Sequence, residues 1–387
     1  MRPWFILVAL VLARVGFGYQ FQSVAALGPD LVPRFHLSYA GFGSLIGAYM
    51  LPGAFVALPL GLLGRRFGDR AVLGAGLALM AAGPCVQLWG DGPTAIAAGR
   101  AIAGIGAVAM IVILAKILAD WFTGARFMLA ISMTTCAYPV GMGLTQLILP
   151  ALAQRFGGPA ALLTNAVLPA AALILFFAAY RPSPHIAATP RRFSLPSPRE
   201  CLLLAVSGMI WTAYTAGFSG YTSYVPSALA LRGEGLAVTG LVMTIATWGN
   251  VPATLFGGGL AGRYGGFRIF LIGTLALVAG FAGTALLDAP VLFAVAIGLL
   301  GSLHPGVIMA MGTLSARPEN RAVGMGIFYT LYYAGGSVGP ALCGRAADLY
   351  GGPAGGLLAA SAISALALPM YWWHRRLAAR QDTLVQA

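Results

Sequence analysis

The chain has 387 residues, of which 59% are hydrophobic and only 9% charged, against roughly 25% charged residues in an ordinary soluble domain. This excludes a soluble enzyme, a disordered segment and a nucleic-acid partner, because the 23 Lys and Arg behind the formal charge of +13 are scattered between apolar runs. What remains is a multi-pass protein whose partner is the lipid bilayer, with spans of about 20 apolar residues each and no room for a sizeable extramembrane domain.

Apolar windows bounded by charged, Gly or Pro clusters predict twelve helices, over 4–27, 38–63, 71–89, 94–118, 127–149, 161–180, 201–229, 236–260, 269–287, 291–315, 322–344 and 354–373. The first reads as a retained helix and not a cleaved signal, since Arg14 and Gln20 interrupt it and no small-residue cleavage site follows. Between the sixth and seventh windows, RPSPHIAATPRRFSLPSPRE (Arg181 to Glu200) carries five prolines and four arginines and cannot make a packed element. The expected organisation is therefore a six-helix bundle over 1–180, a cytoplasmic linker over 181–200, and a second bundle with a short cytoplasmic tail over 201–387. Cys85, Cys136, Cys201 and Cys343 stand singly, without metal-ligand spacing, and read as small core residues. No cofactor or metal is expected.

With the N-terminus inside, the inner segments hold sixteen arginines, in clusters such as Arg65, Arg66 and Arg70 or Arg375, Arg376 and Arg380. The outer loops hold four: Arg34, Arg155, Arg232 and Arg345. The positive-inside rule then puts both termini in the cytoplasm. Lys116 is the only lysine beside 22 arginines, a usage that hints at a G+C-rich bacterial genome and so at a bacterial inner membrane.

A shift of 197 residues superimposes Pro29 on Pro226, Gly43 on Gly240, Arg66 on Arg263, Gly68 on Gly265, Pro93 on Pro290 and Gly104 on Gly301, slipping only in the fifth helix of each half. Parallel repeats of this kind place a substrate site between the halves near the bilayer midplane.

Gly61-Leu-Leu-Gly-Arg-Arg-Phe-Gly-Asp-Arg70 resembles the loop motif G-x-L-a-D-r-x-G-r-k of the major facilitator superfamily, with Arg65 at the acid position and Asp69 at a basic one. Arg100-Ala-Ile-Ala-Gly104-Ile-Gly106 resembles that family's R-x-x-x-G-x-G motif, and Gly335-Gly-Ser-Val-Gly-Pro340 its eleventh helix. In helix five, Tyr138-Pro139-Val140-Gly141-Met142-Gly143 shares its proline and later glycines with the G-P-x-x-G-G of drug/proton antiporters. Leu118-Ala-Asp-Trp-Phe122 is similar to the end of helix four in porters of small anions such as nitrate, cyanate and oxalate. The resemblance implies an all-α fold of twelve transmembrane helices in two pseudo-symmetric bundles, with helices one, four, seven and ten lining the cavity. It also implies gating or coupling roles for Arg100, Arg65, Arg66 and Asp69.

A charge at bilayer depth is costly and so marks a functional candidate. Arg14, near the middle of helix one, offers a permanently charged forked donor suited to a carboxylate or another oxyanion; a clamp on backbone carbonyls is the structural alternative. The repeat register sets Trp211 opposite Arg14 and Tyr214 opposite Phe17, so Trp211, Tyr214 and Phe218 form a candidate aromatic wall. His304 maps onto Ala107, seven residues from Arg100 and so on nearly the same helix face, which puts His304 on the cavity if Arg100 faces it. Lys116, about 160° round from Arg100, is expected to point away from the cavity, snorkelling or pairing with Asp120. Tyr19, Gln20, Asn250, Tyr329 and Tyr333 complete the candidates.

All ten acidic residues fall outside mid-span positions, so the cavity's sign favours an anion. The expected activity is transport of a small organic or inorganic anion by alternating access, by a monomer, with a proton or counter-anion left open as coupling partner. Alternatives are a proton-coupled drug or metabolite exporter and a transport-inactive receptor or assembly factor. No catalytic constellation points to an enzyme.

Overall fold

The computed structural model describes residues 2–87, 90, 92–180, 196–317 and 321–385. Every regular element among them is helical. The first crossing is α1 (Arg2–Ala26), and a short α2 (Gly28–Arg34) turns the chain at the far side. The return is made by α3 (Tyr39–Gly47) and α4 (Gly53–Phe67), followed by α5 (Asp69–Val86), α6 (Pro93–Trp121) and α7 (Gly124–Phe156). The sixth crossing joins α8 (Gly158–Leu163) to α9 (Val167–Ala179) through a single 3-10 turn.

The second half repeats the plan with α10 (Pro198–Leu231), α11 (Leu236–Trp248), α12 (Asn250–Tyr264) and α13 (Gly266–Leu286). It continues through α14 (Pro290–Val295), α15 (Pro305–Leu314), α16 (Arg321–Tyr350), α17 (Pro353–Ala365) and α18 (Ala367–Val385). Ten helical stretches are long and apolar enough to span a membrane. The other two crossings are α3 with α4, split by a turn at 48–52, and the 30-residue α16, about 45 Å long at ~1.5 Å per residue and rich in Gly and Tyr. Most of the expected linker, 181–195, lies outside the described residues.

Local chemistry sets the boundaries. Ser197 and Glu200 form a capping box ahead of α10: Ser197 Oγ accepts from Glu200 N at 3.2 Å, and Glu200 Oε2 accepts from Ser197 N at 2.7 Å. Glu200 Oε1 also accepts from Arg317 N at 2.8 Å, tying the loop after α15 to the same cap. Gly68 and Gly265, 197 residues apart, take φ of 81° and 93° at the equivalent tight turns α4–α5 and α12–α13. These left-handed conformations suit glycine alone.

The tenth crossing differs from the continuous helix expected over 291–315. After α14 the chain makes a π-helical segment (Ala296–Gly301), and α15 restarts at Pro305. A proline lacks the backbone donor and disfavours helical geometry in the residue before it, so the break falls at 302–304.

Apolar side chains such as Phe55, Ile174, Phe256, Leu314 and Leu349 face outward, as a lipid-bathed surface requires. One buried cluster fills the N-terminal half around Leu10, Phe17, Met80, Met110 and Phe176. A second runs through the C-terminal half and across the seam, where Val24, Phe42 and Ile46 pack with Tyr221, Tyr224 and Leu229. The halves are thus joined on the side where α1 ends, here the distal face; the side where α1 begins is the terminal face.

Candidate functional site

Arg14 stands half-buried in α1 with its guanidinium 4.9 Å from the Phe17 ring centroid and 5.4 Å from that of Tyr138 in α7. Its Nη1 is buried and has no hydrogen-bond partner. The same side chain lines a cavity of about 360 Å³ between the halves. Facing it from α10 are Trp211, Tyr214 and Phe218, with Tyr214 and Phe218 stacked 6.2 Å apart at 22°. Trp211 sits 5.7 Å from Tyr214 and 6.3 Å from Tyr332, and its Nε1 is likewise buried without an acceptor.

Position 14 and position 211 are repeat equivalents. Both reach the cavity, both lean on the aromatic residue three further along, and both carry an N–H donor that the protein leaves unmet. A buried donor without an acceptor is costly, and beside a cavity a water or a ligand can supply the missing partner.

Asn250, Tyr329 and Tyr333 also line the cavity. Asn250 Oδ1 accepts from Thr254 Oγ1 at 2.8 Å, and Asn250 Nδ2 lies 3.4 Å from Tyr214 Oη. Sequence reasoning missed Tyr138, Thr135, Met142 and Met309 as lining residues. For Tyr138 the signal was its place beside Pro139 at mid-span in α7, but the repeat register slips in that helix.

Other candidates lie elsewhere. Tyr19 Oη pairs with Thr164 Oγ1 at 3.1 Å, and Gln20 Nε2 donates to Met80 O and Asn165 O at 2.6 and 2.9 Å, so both turn into the N-terminal half and not towards the cavity. Arg100, 2% exposed, donates to the carbonyls of Gln20 at 3.0 Å, Phe21 at 3.1 Å and Ile46 at 2.9 Å. Those bonds make it a clamp on the α1–α3 junction, removed from the cavity wall. His304 is 1% exposed and does not line the cavity. Its ring sits edge-on to Tyr214 and Phe270 at 5.0 and 5.5 Å, against Gly273. The expectation depended on Arg100 facing the cavity; Arg100 turns to the α1 and α3 carbonyls instead, and His304 lies behind Tyr214.

At the terminal face, Lys116 Nζ lies 2.8 Å from both oxygens of Asp69, whose side chain is only 5% exposed. Asp69, on α5, is thus a partner that the expected pairing with Asp120, one turn along α6, did not include. Nearby, burial and the carboxylates of Asp69 and Asp120 push the Tyr180 phenol up to about 12. Arg66 is exposed and lies over Phe67; the Arg65 side chain lies outside the described residues. Among the described residues no group of His, Cys, Asp and Glu is arranged to hold a metal.

The distal face is closed by contacts between the halves. Asp348 at the end of α16 accepts from Tyr39 N and Ala40 N at 2.7 and 3.0 Å. Tyr224 Oη donates to Tyr39 O at 2.8 Å, and Gln22 Nε2 to Thr222 O at 2.9 Å. Gly43 and Gly47 of α3 abut the carbonyl oxygens of Pro340 and Ser337, leaving no space for a Cβ.

The comparisons agree with this architecture. The sequence profile of the Major Facilitator Superfamily matches residues 6–340. A 72-residue stretch is 40% identical to the inner membrane transport protein YajR of Escherichia coli, covering 19% of this chain and 16% of that protein. Among solved structures, an inward-facing, unoccupied bacterial homologue of the human lysosomal transporter Spinster superposes with a TM-score of 0.76 at 14% identity, over 97% of each chain. The nucleoside transporter NupG superposes with a TM-score of 0.76 at 14% identity, over 96% of this chain and 99% of that one. The inward-open xylose transporter XylE of E. coli gives 0.71 at 16% identity, over 95% of each. With twelve crossings, a cavity between two repeated halves and a profile match over most of its length, the chain belongs to the major facilitator superfamily of membrane transporters, which are not enzymes.

Proposed function

We propose that this transporter carries small anions, binding them at Arg14 between the two halves and working by exchange or uniport. The observation that carries the reading is the Arg14 guanidinium itself: it lines the cavity, it faces aromatic rings instead of a carboxylate, and one of its nitrogens has no acceptor. A fixed positive charge left without a counter-ion near mid-span is expensive unless an anion answers it. Among the described residues no Asp or Glu lines the cavity, so a cationic substrate would meet repulsion from Arg14 there.

The distal seal fits an inward-facing state of a monomer in the cytoplasmic membrane of a bacterium. In that arrangement the arginine-rich terminal face and both termini are cytoplasmic. Arg100 then holds the α1–α3 junction through which the distal gate moves, and the Asp69–Lys116 pair braces the opposite end.

A thermal-shift screen of the detergent-purified protein tests the reading, because a ligand that binds only the folded state raises the melting temperature. Small carboxylates or oxyanions are expected to stabilise the wild type and not the Arg14→Gln variant. Stabilisation by lipophilic cations alone would overturn the anion reading in favour of an exporter of cationic drugs.

A further inference from the structure

The cavity holds one fixed charge and a large aromatic surface, contributed by opposite halves. Among the described residues, Arg14 is the only Lys, Arg or His on its wall, and no Asp or Glu lines it. Across from it stand Trp211, Tyr214 and Phe218, with the thioethers of Met142 and Met309 nearby.

Three physical constraints follow for a ligand. Aromatic faces carry partial negative charge and repel an anion laid against them, so the anionic group must sit at Arg14. A second carboxylate would then have only neutral donors such as Trp211, Asn250, Thr215 and Thr254 and, among the described residues, no second cation to meet it, a costly burial for a charge. A three- or four-atom inorganic ion is too small to touch both walls of a cavity of about 360 Å³. Only differential contacts with the two halves let a ligand shift the balance between conformations, and such an ion would leave the aromatic wall idle. A flat apolar body satisfies all three, stacking on the α10 wall while its single carboxylate reaches α1.

Resting on the anion reading above, we infer that the substrate class is organic monocarboxylates with a flat apolar body, of which benzoate is the smallest aryl example. The ligand spans from Arg14 to Trp211, the two repeat-equivalent positions, and so couples the halves directly.

Isothermal titration of the full-length purified protein tests this with benzoate, terephthalate, nitrate, benzyl alcohol and tetraphenylphosphonium. The expected order has benzoate binding at least about tenfold more tightly than each of the others. Trp211→Leu is expected to weaken benzoate about fivefold or more while leaving any nitrate binding unchanged. Terephthalate or nitrate binding as tightly as benzoate, with that binding lost in Arg14→Gln, keeps the anion site but overturns the monocarboxylate class. Failure of millimolar benzoate to bind overturns the class too. Tetraphenylphosphonium or benzyl alcohol matching benzoate, or benzoate binding unchanged in Arg14→Gln, overturns the anion site itself. The wild-type order decides the class even if the variants fold poorly.

Discussion

Asp348, at the end of α16, caps the first turn of α3 in the other half by accepting the backbone N–H of Tyr39 at 2.7 Å, with Ala40 N beside it at 3.0 Å. A carboxylate here meets two of the four orphan donors of the helix N-terminus and the positive end of its dipole. Because this helix belongs to the opposite half, the contact exists only while the distal face is closed. Asp348→Ala is therefore expected to weaken the closed state by about 1–2 kcal/mol, a shift in population of roughly tenfold towards opening. Spin-label distances across the distal face check it: a broader, longer distribution in the variant is the expected result.

The α3–α16 seam predicts a stronger effect in the same direction. A Cβ at Gly47 meets the backbone carbonyl of Ser337, which cannot rotate away as a side-chain end would. Gly47→Val should hold the distal face apart and raise the labelling rate of a cysteine placed in the cavity from that side. Fold and membrane insertion should survive, since the strain is confined to one conformation.

Arg100 offers a test of its clamp role. Removing its guanidinium takes a charged donor from each of the carbonyls of Gln20, Phe21 and Ile46, a loss of about 1.5–3 kcal/mol per hydrogen bond. Arg100→Met is expected to lower the melting temperature sharply, by a loss of about 3 kcal/mol or more, while the ligand selectivity of the protein that does fold is unchanged. Altered selectivity at normal stability would place Arg100 in the binding machinery instead.

The Lys116–Asp69 pair should respond asymmetrically. Lys116 is 47% exposed and Asp69 only 5%, so deleting the carboxylate frees a lysine that can swing out to water. Deleting the lysine leaves a buried carboxylate without its partner. Lys116→Met is expected to destabilise by about 1–3 kcal/mol and Asp69→Asn by clearly less, read as melting temperatures in detergent.

Much of this architecture was legible in the sequence, because apolar windows report spans directly and a constant shift of 197 residues reports a repeat. Gly68 and Gly265 show how literal the repeat is, sharing a left-handed turn. The same register set Trp211 opposite Arg14, and both line the cavity.

Facing was not legible where tertiary contacts decide it. Tyr19 and Gln20 follow Arg14 by five and six residues and rotate into the N-terminal half, where Thr164, Met80 and Asn165 satisfy them. The facing of His304 was reckoned from Arg100, and because Arg100 turns to the α1 and α3 carbonyls, nothing carries His304 to the cavity, and it lies behind Tyr214. Lys116 found a partner on the neighbouring helix, 47 residues away, that no local spacing announces.

The central claim is that Arg14 holds the transported anion, and counterflow in proteoliposomes tests it most directly. Vesicles preloaded with unlabelled benzoate should accumulate labelled benzoate through the wild-type protein. Arg14→Gln should abolish this, and Arg14→Lys, which keeps the charge without the fork, should retain part of it. Wild-type rates in Arg14→Gln, in protein whose folding is verified by its melting curve, would contradict the account.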